Sequence, residues 1–440
     1  MLSTASNSVV SALAMRSACS NSSARHVAPV NWAHVLQAPP DAILGVAAAY
    51  RADPRKDKVN LSVGAYRDEK GRPYVLQCVR KAEAALVKSQ PGHEYLPIGG
   101  LESFNVGARV MAFGKDGDYY DHKNIATVQA LSGTGALRLA GEFLRRWYHA
   151  PGTKERGVPP TIYLPTPTWG NHNAVFRDAG LGVRNYRYFD AKTGGVDIEG
   201  LLADVRAAPE GSVFLFHACA HNPTGADPTP AEWERIRAAC LERGHAVVFD
   251  SAYQGFASGD PERDAYALRL FARARPRAML LCQSFAKNLG MYGERVGALH
   301  VLCASADEAA RVKSQVQTIV RPMYSSPPAW GARLASTVFA SPELTADWAV
   351  DMRRMASRIG DMRSALVAAL RRAGSPRNWD HITRQIGMFS FTGLTKPQCA
   401  SMVRDHAVYL TANGRISMAG LNPSNVDKVA RAMHQATTDY

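Results

Sequence analysis

Lys287 lies in the run Gln283-Ser284-Phe285-Ala286-Lys287-Asn288, directly after the apolar stretch 278–282, and Arg295 follows eight positions later. A lysine at the end of a buried strand is partly desolvated, which favours the neutral amine, a nucleophile and a base. Ser284 and Arg295 add a hydroxyl and a guanidinium, donors suited to a phosphate. Asp250 ends a second apolar run, 245–249, where a carboxylate is costly unless a cation or a protonated group meets it. Taken alone it would serve equally as a helix cap or a surface acid. Tyr253 adds a phenol three residues on. Asn222 sits in His221-Asn222-Pro223-Thr224-Gly225, a turn sequence that aims its amide out of a strand end, though a turn needs no ligand. Ser132-Gly133-Thr134-Gly135 precedes a helix expected from about residue 136, where amides and hydroxyls can cradle an anion or merely cap the helix. It has neither the lysine of a Walker A loop nor dinucleotide-fingerprint spacing. A lysine, an acid and a phosphate site gathered at one sheet edge are what a pyridoxal phosphate pocket requires.

The elements that would gather them can be read from hydrophobic patterning. Apolar runs at 125–130, 161–164, 213–217, 246–249, 278–282 and 298–302 alternate with helical patterns such as 136–148 and 231–242. That alternation is the signature of a mostly parallel sheet covered by helices, an α/β fold. Five consecutive expected strands release polar residues at their carboxyl ends: "LSGTGALR", "PTPTWGNH", "HACAHNPTG", "DSAYQG" and "QSFAKN". Ligands of open α/β sheets bind at that edge. Beyond Pro342 the character changes to a long helical pattern, 346–373, then a short apolar segment, 388–391, and a last helix from Val426, which reads as a smaller α+β unit.

Bulk properties narrow the class. A chain of 440 residues with 46% hydrophobic content can build a sizeable core, and two domains are expected. The net charge of +14 comes from scattered lysines and arginines without a dense basic block, which argues against nucleic acid. No apolar stretch approaches the roughly 18 to 20 residues of a membrane span. Seven cysteines without C-x-x-C pairs suggest a reducing interior rather than zinc or a disulfide scaffold. The first acid is Asp41, while residues 1–25 hold eight serines with Arg16 and Arg25, the composition of an organelle transit peptide or of an unstructured tail.

The motifs "SFAKNLGMYGERVGAL", "PTPTWGNHNAVFRDAG", "HACAHNPTG", "FDSAYQGF" and "GRISMAGLN" together resemble the aspartate aminotransferase family of fold-type-I pyridoxal-phosphate enzymes, from about Trp32 to the C-terminus. "RPMYSSPP" and "AKNLGMYGERVG" are similar to the mitochondrial form, in keeping with the leader. The resemblance implies a presequence over 1–26 and a large cofactor-binding domain, 76–349, built on a seven-stranded, mostly parallel sheet. A smaller α+β domain would comprise 27–75 and 350–440. It also implies a homodimer in the mitochondrial matrix that exchanges the amino group of L-aspartate with 2-oxoglutarate, giving oxaloacetate and L-glutamate by a ping-pong cycle. The nearest rival is a broad-specificity, aromatic or kynurenine aminotransferase of the same family.

Carried over residue by residue, Lys287 would be the Schiff-base lysine and proton shuttle. Asp250 would keep the pyridine nitrogen protonated, with His172 behind it. Tyr253 and Asn222 would hydrogen-bond the ring's phenolic oxygen, and Trp169 would stack on the ring. Ser132, Gly133, Thr134, Ser284 and Arg295 would hold the phosphate, helped by Tyr95 from the second subunit. Arg415 would bind the α-carboxylate, and Arg321, across the dimer interface, the side-chain carboxylate. Gly64 would lie in a segment closing over substrate, and Phe389 in the pocket wall. Ser326 departs from the family pattern, which more often carries Asn there.

Overall fold

The strands form because mostly apolar runs of five to seven residues are buried on both faces. In the computed structural model, residues 32–39, 41, 43–152 and 157–439 are described; the expected presequence, 1–26, lies outside them. Residues up to Pro40 make one unit, in which Val35 N–H closes a turn on the carbonyl of Trp32, at 2.9 Å; Asp41 to Tyr440 make the other.

The central sheet has seven strands: β1 (Ile125–Leu131), β2 (Thr161–Thr166), β3 (Gly182–Arg187), β4 (Val213–His217), β5 (Ala246–Ser251), β6 (Ala278–Ser284) and β7 (Val296–Leu302). Their spatial order is β1-β7-β6-β5-β4-β2-β3, and only β7 runs antiparallel to its neighbours. Successive side chains alternate between two cores. Val248 joins Leu137, Leu280 and Leu299 on one face, whereas Val247 and Phe249 join Phe214, Trp233 and Phe271 on the other. Because β7 is reversed, its first residues lie at the edge where the parallel strands end. Arg295 thereby reaches the same edge as Lys287.

The covering helices include α1 (Ser132–Trp147), α2 (Asn171–Asp178), α3 (Pro230–Glu242), α4 (Ala306–Tyr324) and α5 (Pro342–Arg372). Helix α3 opens on a capping box between Thr229 and Glu232 with Pro230 in the first turn, and α5 likewise begins at a proline after the cap Ser341. Two sequence expectations are corrected. The helix expected from residue 136 begins at Ser132, so Ser132 to Gly135 form its first turn rather than a preceding loop. Strand β3 was not foreseen: it is an edge strand, Gly-Val-Arg-Asn-Tyr-Arg, whose outer residues are polar and exposed and so lack the apolar run of its neighbours. The segment 388–391 forms the short strand β8 (Phe389–Phe391), paired antiparallel with β9 (Arg415–Ser417), which brings Arg415 opposite Phe391. Among the described residues no helix is long and apolar enough to cross a membrane.

Candidate active site

All five polar loops expected at the carboxyl edge meet in one cavity of about 370 Å³. Ser132, Gly133 and Thr134 come from the start of α1, and Trp169 from the turn after β2. Asn222 follows β4, Asp250 and Tyr253 follow β5, and Ser284 and Lys287 follow β6; Arg295, Gly64, Phe389 and Arg415 complete the lining. His172 lies behind it, buried in α2 with its ring edge-on to Trp169, 5.2 Å between centroids. Tyr95 and Arg321 are exposed and lie outside this cavity.

Electrostatics set the protonation pattern. Burial pushes the Lys287 ammonium below its ordinary range; Asp250 opposes this, while Arg295 and Arg415 add to it. The amine therefore gives up its proton more readily than a solvated lysine. Its Nζ lies 5.0 Å from the centroid of the Tyr253 ring. Burial alone would raise the Asp250 carboxyl, but the hydrogen bond from His172, with the nearby Lys287 as cation, outweighs it and holds the group below the usual carboxylate value. Burial raises the Tyr253 phenol, with Arg415 opposing.

The hydrogen bonds behind Asp250 run in one direction. A carboxylate only accepts, so His172 Nε2 carries the proton it donates to Asp250 Oδ2, at 3.1 Å. On the other side, the backbone N–H of Asn222 donates to His217 Nδ1 at 3.4 Å, which places that ring's proton on Nε2, facing Thr168 Oγ1 at 3.4 Å. The threonine hydroxyl then gives its own proton to His172 Nδ1 at 2.8 Å. His217 stays neutral in this chain because burial, then His172, lowers it to about 3. Asn222 and Asp250 are thus the two ends of one oriented chain of donors. His217 was not singled out from sequence; an apolar strand that ends in a histidine was the available signal.

Arg415 is 4% exposed and donates to the carbonyl of Ser62 at 2.9 Å and to Asn222 Oδ1 at 3.3 Å. Its guanidinium lies 4.1 Å over the Phe389 ring, its Nε is unpaired, and burial lowers it to about 10. Among the described residues no carboxylate pairs with this guanidinium, which faces the cavity. Gly64 is required here by close approach, since an added Cβ would stand 2.9 Å from Phe389 Cζ. Ile43 and Leu44, at the start of a short helix, also line the mouth. Their pattern reads only as an amphipathic helix, so no sequence signal marks them.

The donor set fits pyridoxal phosphate. Ser132 Oγ and Ser284 Oγ lie 2.9 Å apart beside the first turn of α1, where backbone amides lack helical partners, and Arg295 faces the same space. Gly297 makes the cradle possible. It pairs with both Ala130 and Ser284, and an added Cβ would come within 2.5 Å of the Gln283 carbonyl oxygen and 2.6 Å of the Ser132 carbonyl carbon. Gly297→Ala is therefore expected to push these strands apart at a cost of about 1–3 kcal/mol, weakening cofactor affinity by about tenfold or more. Absorbance titration of the cofactor-free protein measures this; an unchanged dissociation constant would mean that the cradle tolerates the shift.

Comparison with known proteins gives the same answer. The model of the family described as aminotransferase class I and II matches residues 56–433. The mitochondrial aspartate aminotransferase of Dictyostelium discoideum is 50% identical over 408 residues, covering 93% of each chain. The cytoplasmic aspartate aminotransferase of Saccharomyces cerevisiae superposes with a TM-score of 0.88 at 44% identity, over 92% of this chain and 98% of that one. An aromatic-amino-acid aminotransferase from Burkholderia pseudomallei, covalently bound to pyridoxal phosphate, superposes with a TM-score of 0.86 at 40% identity, over the same shares. The chain belongs to the class I and II aminotransferases, and is a pyridoxal-phosphate-dependent transaminase.

Proposed function

We propose that the protein transfers the amino group between L-aspartate and 2-oxoglutarate, as a homodimer of the mitochondrial matrix. The observation that carries this reading is the buried, carboxylate-free guanidinium of Arg415 in the same cavity as Lys287, a receptor for an α-carboxylate next to a base. The cofactor, when bound, supplies an electron sink for the charge left on the substrate carbon. The chain's own groups do the rest. Arg415 grips the α-carboxylate and orients the Cα–H bond. Lys287 takes the Cα proton as the free amine and returns it as the ammonium, a role its depressed basicity supports. Asp250, braced by His172, would hold a negative charge at the cofactor's pyridine nitrogen, Tyr253 and Asn222 would offer hydrogen bonds to its phenolic oxygen, and Trp169 walls the cavity. Ser132, Gly133, Thr134, Ser284 and Arg295 would hold the phosphate.

The side-chain carboxylate of aspartate then needs a second cation, and Arg321 is the candidate. Its guanidinium lies at the exposed end of α4, with Ser325 Oγ at 2.5 Å and no ion-pair partner among the described residues. Tyr95, 90% exposed, lines a separate groove of about 490 Å³ with Tyr324, Ser326 and Trp330. Both residues have a role if a second copy carries them into its neighbour's cavity. The leader composition and a relative named mitochondrial support the compartment.

Shared sites are tested with hybrid dimers. Lys287→Ala and Arg321→Ala chains, each poorly active alone, are expected to regain activity when co-assembled, because one site of each hybrid then has an intact lysine from one chain and an intact arginine from the other. Hybrids no more active than the parent variants would sink the shared-site reading.

A further inference from the structure

We infer that Arg363 is a positioning residue for the substrate site, acting from behind the cavity by fixing the backbone that carries Phe389 and thereby the seat of Arg415. Arg363 lies on α5, is 3% exposed and does not line the cavity. Its Nη1 donates to the carbonyl of Ile382 at 2.9 Å, and its Nη2 to those of Gly387 at 2.8 Å and Phe389 at 2.6 Å. No carboxylate pairs with it among the described residues. Burying a cation without an anion is costly, and burial lowers this group to about 9. What the guanidinium provides instead is geometry: one rigid planar fork sets three carbonyls spread over eight residues of chain.

That stretch is held from the opposite side by the loop that carries Asn222. Ile386 N–H donates to the carbonyl of Gly225 at 2.7 Å. Gly225 sits at φ 67°, and an added Cβ would lie 2.8 Å from the same Phe389 carbonyl oxygen that Arg363 holds. Gln385 Oε1 accepts from Phe391 N–H at 3.1 Å and from Ser390 Oγ at 2.6 Å. The Phe389 backbone is thus clamped between α5 and the 222–225 loop. Its ring faces two functional groups, the Arg415 guanidinium at 4.1 Å and the Tyr253 ring edge-on at 6.5 Å, and leaves no room for a Cβ at Gly64. Strand pairing adds a second route, since Phe389 pairs with Ser417 and Phe391 with Arg415. Moving the 387–389 backbone therefore moves the α-carboxylate receptor.

The inference rests on Arg415 being that receptor, and the test separates the two. Succinate, a dicarboxylate without an amino group, serves as probe, with its dissociation constant read by spectral titration of the holoenzyme alongside KM and kcat for aspartate. Arg363→Lys keeps a buried cation with fewer donors. It is expected to raise the succinate constant and KM by about tenfold, with kcat within about threefold and cofactor content unchanged. Arg363→Met, which keeps volume but no donor, is expected to raise them further. If Arg363 works through the Phe389 backbone, then Arg363→Lys raises the succinate constant less in a Phe389→Leu background than in the wild type, the remainder passing through the strand pairing. Additive losses, or an Arg363→Lys enzyme changed only in thermal midpoint, would overturn the inference. Arg415→Lys is the control: if it leaves succinate binding intact, the receptor assignment itself fails.

Discussion

Replacing Lys287 with alanine is expected to lower transamination of aspartate by about four orders of magnitude or more, the largest loss available at any single position. General acid–base catalysis alone contributes about 10²–10⁴, and this side chain is also the group to which the cofactor is expected to attach. No neighbour can take over. Tyr253, whose ring lies 5.0 Å from Lys287 Nζ, is a phenol that burial raises and that therefore holds its proton; Asp250 is committed to His172. The fold should survive, because the lysine keeps part of its surface open to the cavity and anchors no core cluster. Single-turnover kinetics measure the loss. Borohydride reduction followed by mass spectrometry should add the cofactor's mass to the wild-type chain and not to the variant. Multiple turnovers by Lys287→Ala at a rate near the wild type would remove the lysine from the mechanism.

The second large effect is one of discrimination. Arg321→Ala is expected to lower kcat/KM for aspartate and glutamate by about two to three decades, about 3–4 kcal/mol, while phenylalanine and tyrosine change by less than about threefold. The asymmetry follows from the interaction lost. A guanidinium grips a carboxylate with two parallel charge-assisted bonds, and a carboxylate left in the closed site without it is unpaired and desolvated. An aromatic side chain has no such debt to Arg321. Among the described residues the guanidinium is tied only to Ser325, a neutral hydroxyl, so it is available to a carboxylate. Equal losses for both substrate classes would show that Arg321 does not read the side chain. Comparison of aspartate, tyrosine and kynurenine as donors to 2-oxoglutarate in the wild type then fixes how far the site also serves aromatic substrates.

The sequence by itself determined the sheet, the edge and the cast. Strands buried on both faces read as apolar runs, so β1, β2, β4, β5, β6 and β7 were legible, and the polar residues at the ends of the first five marked the ligand edge. All five of those loops line one cavity. What it could not carry were features that depend on neighbours distant in sequence. Edge strand β3 hid because only one side of it is packed, and the start of α1 was misplaced because Ser132 enters the helix at φ 60°, where a Cβ on Gly297 would stand 2.6 Å from its carbonyl carbon. The tautomers of His172 and His217 follow only once Thr168, Asn222 and Asp250 are placed around them. The reversal of β7 decided that Arg295 joins Lys287, and the pairing of β8 with β9 decided that Arg415 rests on Phe389. Local patterning encodes burial and chain direction within an element, whereas site geometry comes from contacts such as those between Arg363 and Phe389, which no local period reports.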